Sequence, residues 1–204
     1  MPEPARISRI RSGRRTDIRR ENERLILDAA ERVFAEAGFG GATMQLIADM
    51  AGLPKANLHY YFATKEDILL ACYDEWVQSE WTSIRAMAGK SFSEKTIGKL
   101  VQLLLAEHKQ ALVFRRNLNT LCCMSDAAQQ HRDKQRLQQC RDIADMLAQQ
   151  GNTSPSLIQL HTTLNSCEFL LDVFANNRHG ELGLSAKAIE DTVKQVIRQL
   201  FGPK

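Results

Sequence analysis

The sequence predicts an all-α protein, and three observations carry that prediction. Apolar residues recur at helical spacing from about Arg20 to the end of the chain, and no alternation of apolar and polar residues persists long enough for a strand. Only 11 glycines and 5 prolines punctuate 204 residues, so long helices meet few breakers. With 44% apolar and 25% charged residues the composition is that of a globular protein, which excludes collagen-like, mucin-like and wholly disordered chains.

The elements follow in order. Ile26, Ala29, Val33 and Phe34 share one face, with Ala30 and Ala37 beside them, which predicts an amphipathic helix from about Arg20 to Ala37. Gly38 should end it, with Gly40 and Gly41 loosening the exit. Thr43 is an N-cap for a short second helix carrying Met44, Leu46, Ile47 and Met50, which should stop at Gly52. Pro54 suits the first turn of a third helix, because its missing N–H would have had no intrahelical partner there. Thr64 then caps a fourth, with Asp67 three positions on closing a short capping box.

Beyond this point the chain reads as helix with breaks near residues 90–93, 109–111, 125, 151–155 and 176–185. Ile97, Leu100, Val101, Leu104 and Leu105 mark one helix, and Leu137, Cys140, Ala144 and Leu147 another. Leu157, Leu160, Leu164, Cys167, Leu171 and Phe174 then repeat at alternating steps of 3 and 4, as do Ala186, Ile189, Val193, Val196 and Leu200. Both seams resemble those of coiled coils. A second row at Thr163, Ser166, Leu170 and Val173 would let the first of these helices pack on two sides. Leu160, Leu164, Cys167, Leu170, Leu171, Ile189, Val193, Val196 and Leu200 are therefore the candidates for a four-helix contact between two copies of the chain.

Charge is distributed unevenly. Residues 1–65 hold 11 basic and 8 acidic side chains, whereas the remaining 139 hold equal numbers, so the whole net charge of +3 sits at the front. Arg6, Arg9, Arg11, Arg14, Arg15, Arg19 and Arg20 face only Glu3 and Asp17, which makes residues 1–19 a basic and mobile arm on this reading. Five cysteines, an odd number without a C-x-x-C pair, and no secretory segment at the start point to a reducing cytoplasm. The longest apolar runs, such as Leu100–Ala106, fall far short of the roughly 20 residues that cross a bilayer, and no membrane association is expected.

On a wheel of residues 54–62, Leu58 and Phe62 point inward with Tyr61 near them. Ala56, His59 and Tyr60 point outward, with Lys55 and Asn57 at the margins. That outer face is small and polar, can approach another surface closely, and offers donors and acceptors at lengths suited to base edges or phosphates. A short helix, a glycine turn and such a face are what a helix lying in a DNA major groove requires.

The stretch from Ala29-Ala30 through Val33-Phe34, Gly38-Phe39, Thr43, Ile47-Ala48, Ala51-Gly52-Leu53, Lys55, Leu58, Tyr61-Phe62 and Lys65-Glu66 resembles the DNA-binding domain of TetR-family transcriptional regulators, over about a fifth of the chain. After the basic arm over 1–19, the resemblance implies two parts: a three-helix helix-turn-helix DNA-binding domain over 20–66 and a C-terminal helical bundle for effector binding and dimerisation over 67–204. It implies a homodimer on double-stranded operator DNA, released by an unidentified small-molecule effector that tilts the fourth helix. It assigns Thr43 and Lys65 to phosphates, Gln45 to a base or phosphate, and Lys55, Ala56, Asn57, His59 and Tyr60 to the recognition surface. The family commonly has Tyr followed by His where this chain has His59 and Tyr60, so base preferences do not transfer.

For the effector, Trp76, Phe114, Leu118, Cys122, Met146 and Phe169 are the candidate cavity lining, with Arg115, Arg116, Asn117 and Asn119 able to orient a polar or anionic group. Adjacent Cys122 and Cys123 cannot form an ordinary disulfide, and a redox role would need an exposed thiolate of low pKa. His59, His108, His131, His161 and His179 are scattered without the spacing of a metal site, and no cofactor is expected. No phosphate loop, nucleophile–base pair or placed carboxylate pair suggests an enzyme. The rival reading is a nucleic-acid-binding protein without strong sequence specificity.

Overall fold

The computed structural model describes the backbone of residues 5–88, 93–149 and 155–201, and the side chains of residues 17–87, 93–149 and 155–201. Within those residues the chain forms nine helices and no strand: α1 (Ala5–Gly41), α2 (Met44–Ala51), α3 (Lys55–Tyr61), α4 (Lys65–Ala88), α5 (Glu94–Gln110), α6 (Leu112–Met124), α7 (Asp126–Gln149), α8 (Leu157–Ala175) and α9 (Ala186–Phe201). The all-α expectation and the order of the elements hold. Two compact units divide the chain, Met1–Tyr73 and Asp74–Lys204, so the division falls inside α4 rather than between residues 66 and 67.

The first unit is built as the punctuation predicts, except at its start. Backbone helix begins at Ala5, so the segment read as an arm over 1–19 is helical where it is described. Arginine is a good helix former, and Pro4 is the last proline before residue 54, so nothing in the segment prevents a turn of helix from propagating. The side chains of Arg6 to Arg15 lie outside the described residues.

Gly38 (φ 68°, ψ 169°) breaks α1, a backbone conformation that a side chain would strain. Thr43 caps α2 by accepting the Leu46 N–H at 3.1 Å, and Gly52 (φ 66°) ends α2 in the left-handed region. Thr64 and Asp67 complete their capping box at the head of α4: the Thr64 N–H donates to Asp67 Oδ2 at 3.0 Å, and the Asp67 N–H donates to Thr64 Oγ1 at 3.1 Å. Ile26, Ala30 and Phe34 of α1 are buried with Ile47 and Ala48 of α2, Leu58 of α3 and Ile68 and Leu69 of α4. Each such large apolar side chain contributes about 1.5–3 kcal/mol by leaving water.

The second unit has its own core, formed by Trp81 of α4, Ile97, Leu100, Val101 and Leu105 of α5, Cys140, Ile143 and Leu147 of α7, Leu160, Cys167, Leu171 and Val173 of α8, and Ile189, Val193, Ile197 and Phe201 of α9. This corrects the dimer assignment for five of the candidates: Leu160, Cys167, Leu171, Ile189 and Val193 are buried within one chain, whereas Leu164, Leu170, Val196 and Leu200 pack against the same core and stay half-exposed. A 3–4 seam states that a helix has a face to cover, and α5 and α7 of the same chain do the covering. Leu137, one of the four residues that mark this helix, is 36% exposed, and α7 turns Ile143 inward with Cys140 and Leu147.

Of the expected breaks, Ala111 separates α5 from α6, Ser125 separates α6 from α7, and a turn-rich stretch after Asn176 leads to α9. The breaks at 90–93 and 151–155 fall mostly outside the described residues, although Ser93 and Ser156 cap α5 and α8, the latter with Gln159 in a full capping box. His131 Nε2 lies 2.7 Å from Asp74 Oδ1, and Gln135 Nε2 donates to the same oxygen at 2.7 Å, which ties α7 to α4.

Candidate functional site

The helix-turn-helix presents α3 as the wheel places it. Leu58 is fully buried, whereas Lys55, Ala56, Asn57, His59 and Tyr60 are exposed, Tyr60 to 72%. Tyr61 is half-buried, and its hydroxyl accepts a hydrogen bond from Asn22 Nδ2 of α1 at 2.9 Å. The Tyr60 ring meets the Tyr61 ring edge-on at 5.1 Å. The outer flank therefore holds a cation, an amide, an imidazole and a phenol on a helix whose inner side is anchored.

Thr43 and Gln45 also stand at the surface, with local duties. The Thr43 oxygen receives the Leu46 N–H, which leaves its own O–H free to donate, and Gln45 Nε2 donates to Asp49 Oδ1 at 2.8 Å. Lys65, expected at a phosphate, also has local partners in the fold. Its Nζ donates to the carbonyls of Phe39 and Ala42 at 2.8 and 2.9 Å and lies 4.6 Å from the centre of the Phe39 ring. The glycine-rich exit of α1 leaves those carbonyls without helical partners, and a flexible ammonium at the head of α4 reaches them.

In the second unit the proposed lining divides. Trp76 lies 6.4 Å from Phe114 and 6.0 Å from the His108 ring, and the Arg115 guanidinium sits 5.5 Å from the Trp76 centroid. Leu118 and Cys122 continue the Arg115 face of α6 and are buried. Met146 packs half-buried against the core. Phe169 is 60% exposed, so it does not belong to an interior cavity: it stands on the outer face of α8 with Thr162, Asn165 and Ser166. Arg116 donates to Asn176 Oδ1 at 2.5 Å on the surface, Asn117 is buried and donates to the Val113 carbonyl, and Asn119 is exposed. Burial pushes the Cys122 thiol up against an opposing Arg132, which disfavours a reactive thiolate there.

Around Trp76 the structure assembles a polar interior that the sequence reading missed. Arg115 is buried to 7% exposure; its Nε and Nη2 donate to Asp172 Oδ1 and Oδ2 at 2.9 and 3.1 Å, and its Nη2 also reaches Glu168 Oε1 at 2.6 Å. Arg136 of α7 pairs with the other Glu168 oxygen. Burial raises the Glu80 carboxyl to about 7, with Glu107 adding to the rise and Arg115 and Arg136 opposing it. Burial also raises Glu107 and lowers His108 to about 4, the latter helped by Arg115. The available signal was a polar residue within an apolar face: His108 extends the Val101–Leu105 stripe of α5, and Trp76 and Glu80 stand one turn apart on α4.

Residues 26–72 match the model of bacterial regulatory proteins, tetR family. Over 60 residues the chain is 38% identical to the HTH-type transcriptional regulator RutR of Escherichia coli (strain K12), a match covering 29% of this chain and 28% of that protein. Over 98 residues it is 32% identical to the fatty acid metabolism regulator protein of Bacillus subtilis (strain 168), covering 46% of this chain and 50% of the relative. The matches thus span half or less of those relatives' length. A solved TetR transcription regulator from Haloarcula marismortui ATCC 43049 shares the fold with a TM-score of 0.61 at 20% identity, over 89% of this chain and 98% of that one.

Proposed function

We propose that this chain, a member of the TetR family of bacterial regulatory proteins by its residues 26–72, is a one-component transcriptional regulator that represses from a two-fold operator and is released by a small effector. The observation that carries the reading is the open flank of α3 over a fully buried Leu58. Lys55 supplies a phosphate contact, Asn57 can pair with an adenine edge, and His59 and Tyr60 add donors and acceptors across the groove. Thr43 and Gln45 flank it from the head of α2. Lys65 acts indirectly, by fixing the exit of α1. The protein is read as a cytoplasmic regulator and not an enzyme.

Two copies are needed to set recognition helices one DNA turn apart, about 34 Å. The surface for that contact is the exposed stripe of α8, with Ile158 75% and Phe169 60% exposed, rather than the buried seam. Release then requires that effector binding in the second unit bias α4, the helix that contributes residues to both units. Lowering operator affinity about 10³-fold takes roughly 4 kcal/mol of differential effector binding.

The test is selection of genomic fragments by the full-length protein, followed by measured affinities at one fixed salt concentration. A selected fragment is expected to bind at least about 10³-fold more tightly than random duplex. A ratio near one for every fragment would replace the regulator with a sequence-indifferent nucleic-acid binder.

A further inference from the structure

The polar interior of the second unit has an imbalance of a specific sign. Two guanidiniums, Arg115 and Arg136, are matched by Glu168 and Asp172 through direct ion pairs. Glu80 and Glu107 remain as additional acids, each influenced most by its own burial. Glu107 Oε2 is buried with no hydrogen-bond partner among the described residues. His108, 3% exposed, has Nδ1 3.0 Å from the Leu104 carbonyl, so the neutral ring donates there and keeps Nε2 as an acceptor, with no partner among the described residues. The uncommitted polar atoms are thus acceptors, and Trp76 and Phe114 supply aromatic surface beside them.

Buried acids in this position have two ways to lose their cost: they take up protons, or they receive a cation. We propose that this interior is the effector site and takes a flat organic cation, an aryl amine or amidine, whose charged nitrogen sits against the Glu80 and Glu107 carboxyl groups while its ring packs against Trp76 and Phe114. His108 Nε2 accepts a further N–H from the ligand. An anionic effector is excluded by the same geometry, because Arg115 is already committed to Asp172 and Glu168 and the open groups would repel it. The inference rests on the regulator reading for its consequence at the operator, but the binding step is independent of DNA.

The test uses the full-length protein without DNA and three isosteric probes: benzamidine, neutral benzamide and anionic benzoate. Calorimetry and tryptophan fluorescence are expected to show saturable benzamidine binding at least about tenfold tighter than benzamide, with no benzoate binding. Affinity should fall about tenfold from pH 8 to pH 6, as the Glu80 carboxyl near 7 takes up its proton beside Glu107 and in the field of Arg115 and Arg136. His108, near 4, stays neutral over that range. Binding should release protons, read as a dependence of the heat on buffer. Glu107→Gln should weaken benzamidine at least about tenfold with melting otherwise preserved, and Glu80→Gln serves if that variant does not fold. Benzamide or benzoate binding as well as benzamidine, no saturable benzamidine binding, or unchanged affinity in the variant would overturn the proposal. Operator selectivity, measured separately, tells a failure here from a failure of the regulator reading.

Discussion

An ammonium on a four-carbon stem serves whichever acceptors it reaches, and within the chain those of Lys65 are the Phe39 and Ala42 carbonyls. Removing it strands two carbonyls from a charged donor, a loss of about 1–3 kcal/mol. Lys65→Met is therefore expected to lower the melting midpoint while leaving the salt dependence of operator binding nearly intact. Lys55→Ala should do the reverse, flattening the slope of log K against log salt by about 0.9 with little change in melting. Melting curves and salt titrations on the two variants check this; a normally stable Lys65→Met with a flattened slope would return that lysine to the phosphate. The sequence distinguishes the two residues poorly, because both are lysines at a helix start. What separates them is the orphaned backbone near Lys65, which exists only once α1 has broken at Gly38.

At the scale of elements, punctuation was legible because it is local. Thr43, Gly52 and the Thr64–Asp67 pair each act on backbone groups within a turn or so, and each sits where its chemistry requires. Partner choice is not local, and α8 shows the consequence. Its apolar seam at Leu160, Cys167 and Leu171 is real, but periodicity alone does not tell a neighbour in the same chain from one in another. The face left uncovered carries Ile158, Thr162, Asn165 and Phe169, steps of 4, 3 and 4 along one stripe. Ile158→Glu with Phe169→Glu is expected to convert a dimer to a monomer in sedimentation, with melting of the chain little affected. Leu160→Ala should instead cost about 2–5 kcal/mol of stability through the cavity it leaves. Dimers that survive the double substitution would move the interface elsewhere. The start of α1 was misplaced for a different reason: the apolar stripe begins near Ile26, while backbone helix extends back to Ala5 through a sequence that carries no such stripe.

For the whole molecule, buried charge connects stability to pH, and it is the part of the candidate site least visible in the sequence. Glu80 and Glu168 read as ordinary surface residues of helices until Arg115 of α6 and Arg136 of α7 come near them. Glu80 binds its proton more tightly in the folded chain, at about 7 against an ordinary 4.5. Its contribution is fully present below pH 4.5 and is lost as pH rises through 7. His108 does the opposite, at about 4 against 6.5: its contribution is present above pH 6.5 and is lost as pH falls toward 4. Between about pH 4.5 and 6.5 the two slopes oppose each other, with the raised Glu107 tilting the balance toward lower pH. Glu80→Gln removes one side of that opposition. The variant should match the parent near pH 4, exceed it at pH 8 by on the order of 3 kcal/mol, and gain stability more steeply with pH between 5 and 6.5. Urea unfolding at pH 5, 6.5 and 8 measures all three. If parent and variant give parallel profiles, Glu80 titrates as a surface acid, and the interior holds no uncompensated carboxylate for a ligand to neutralise.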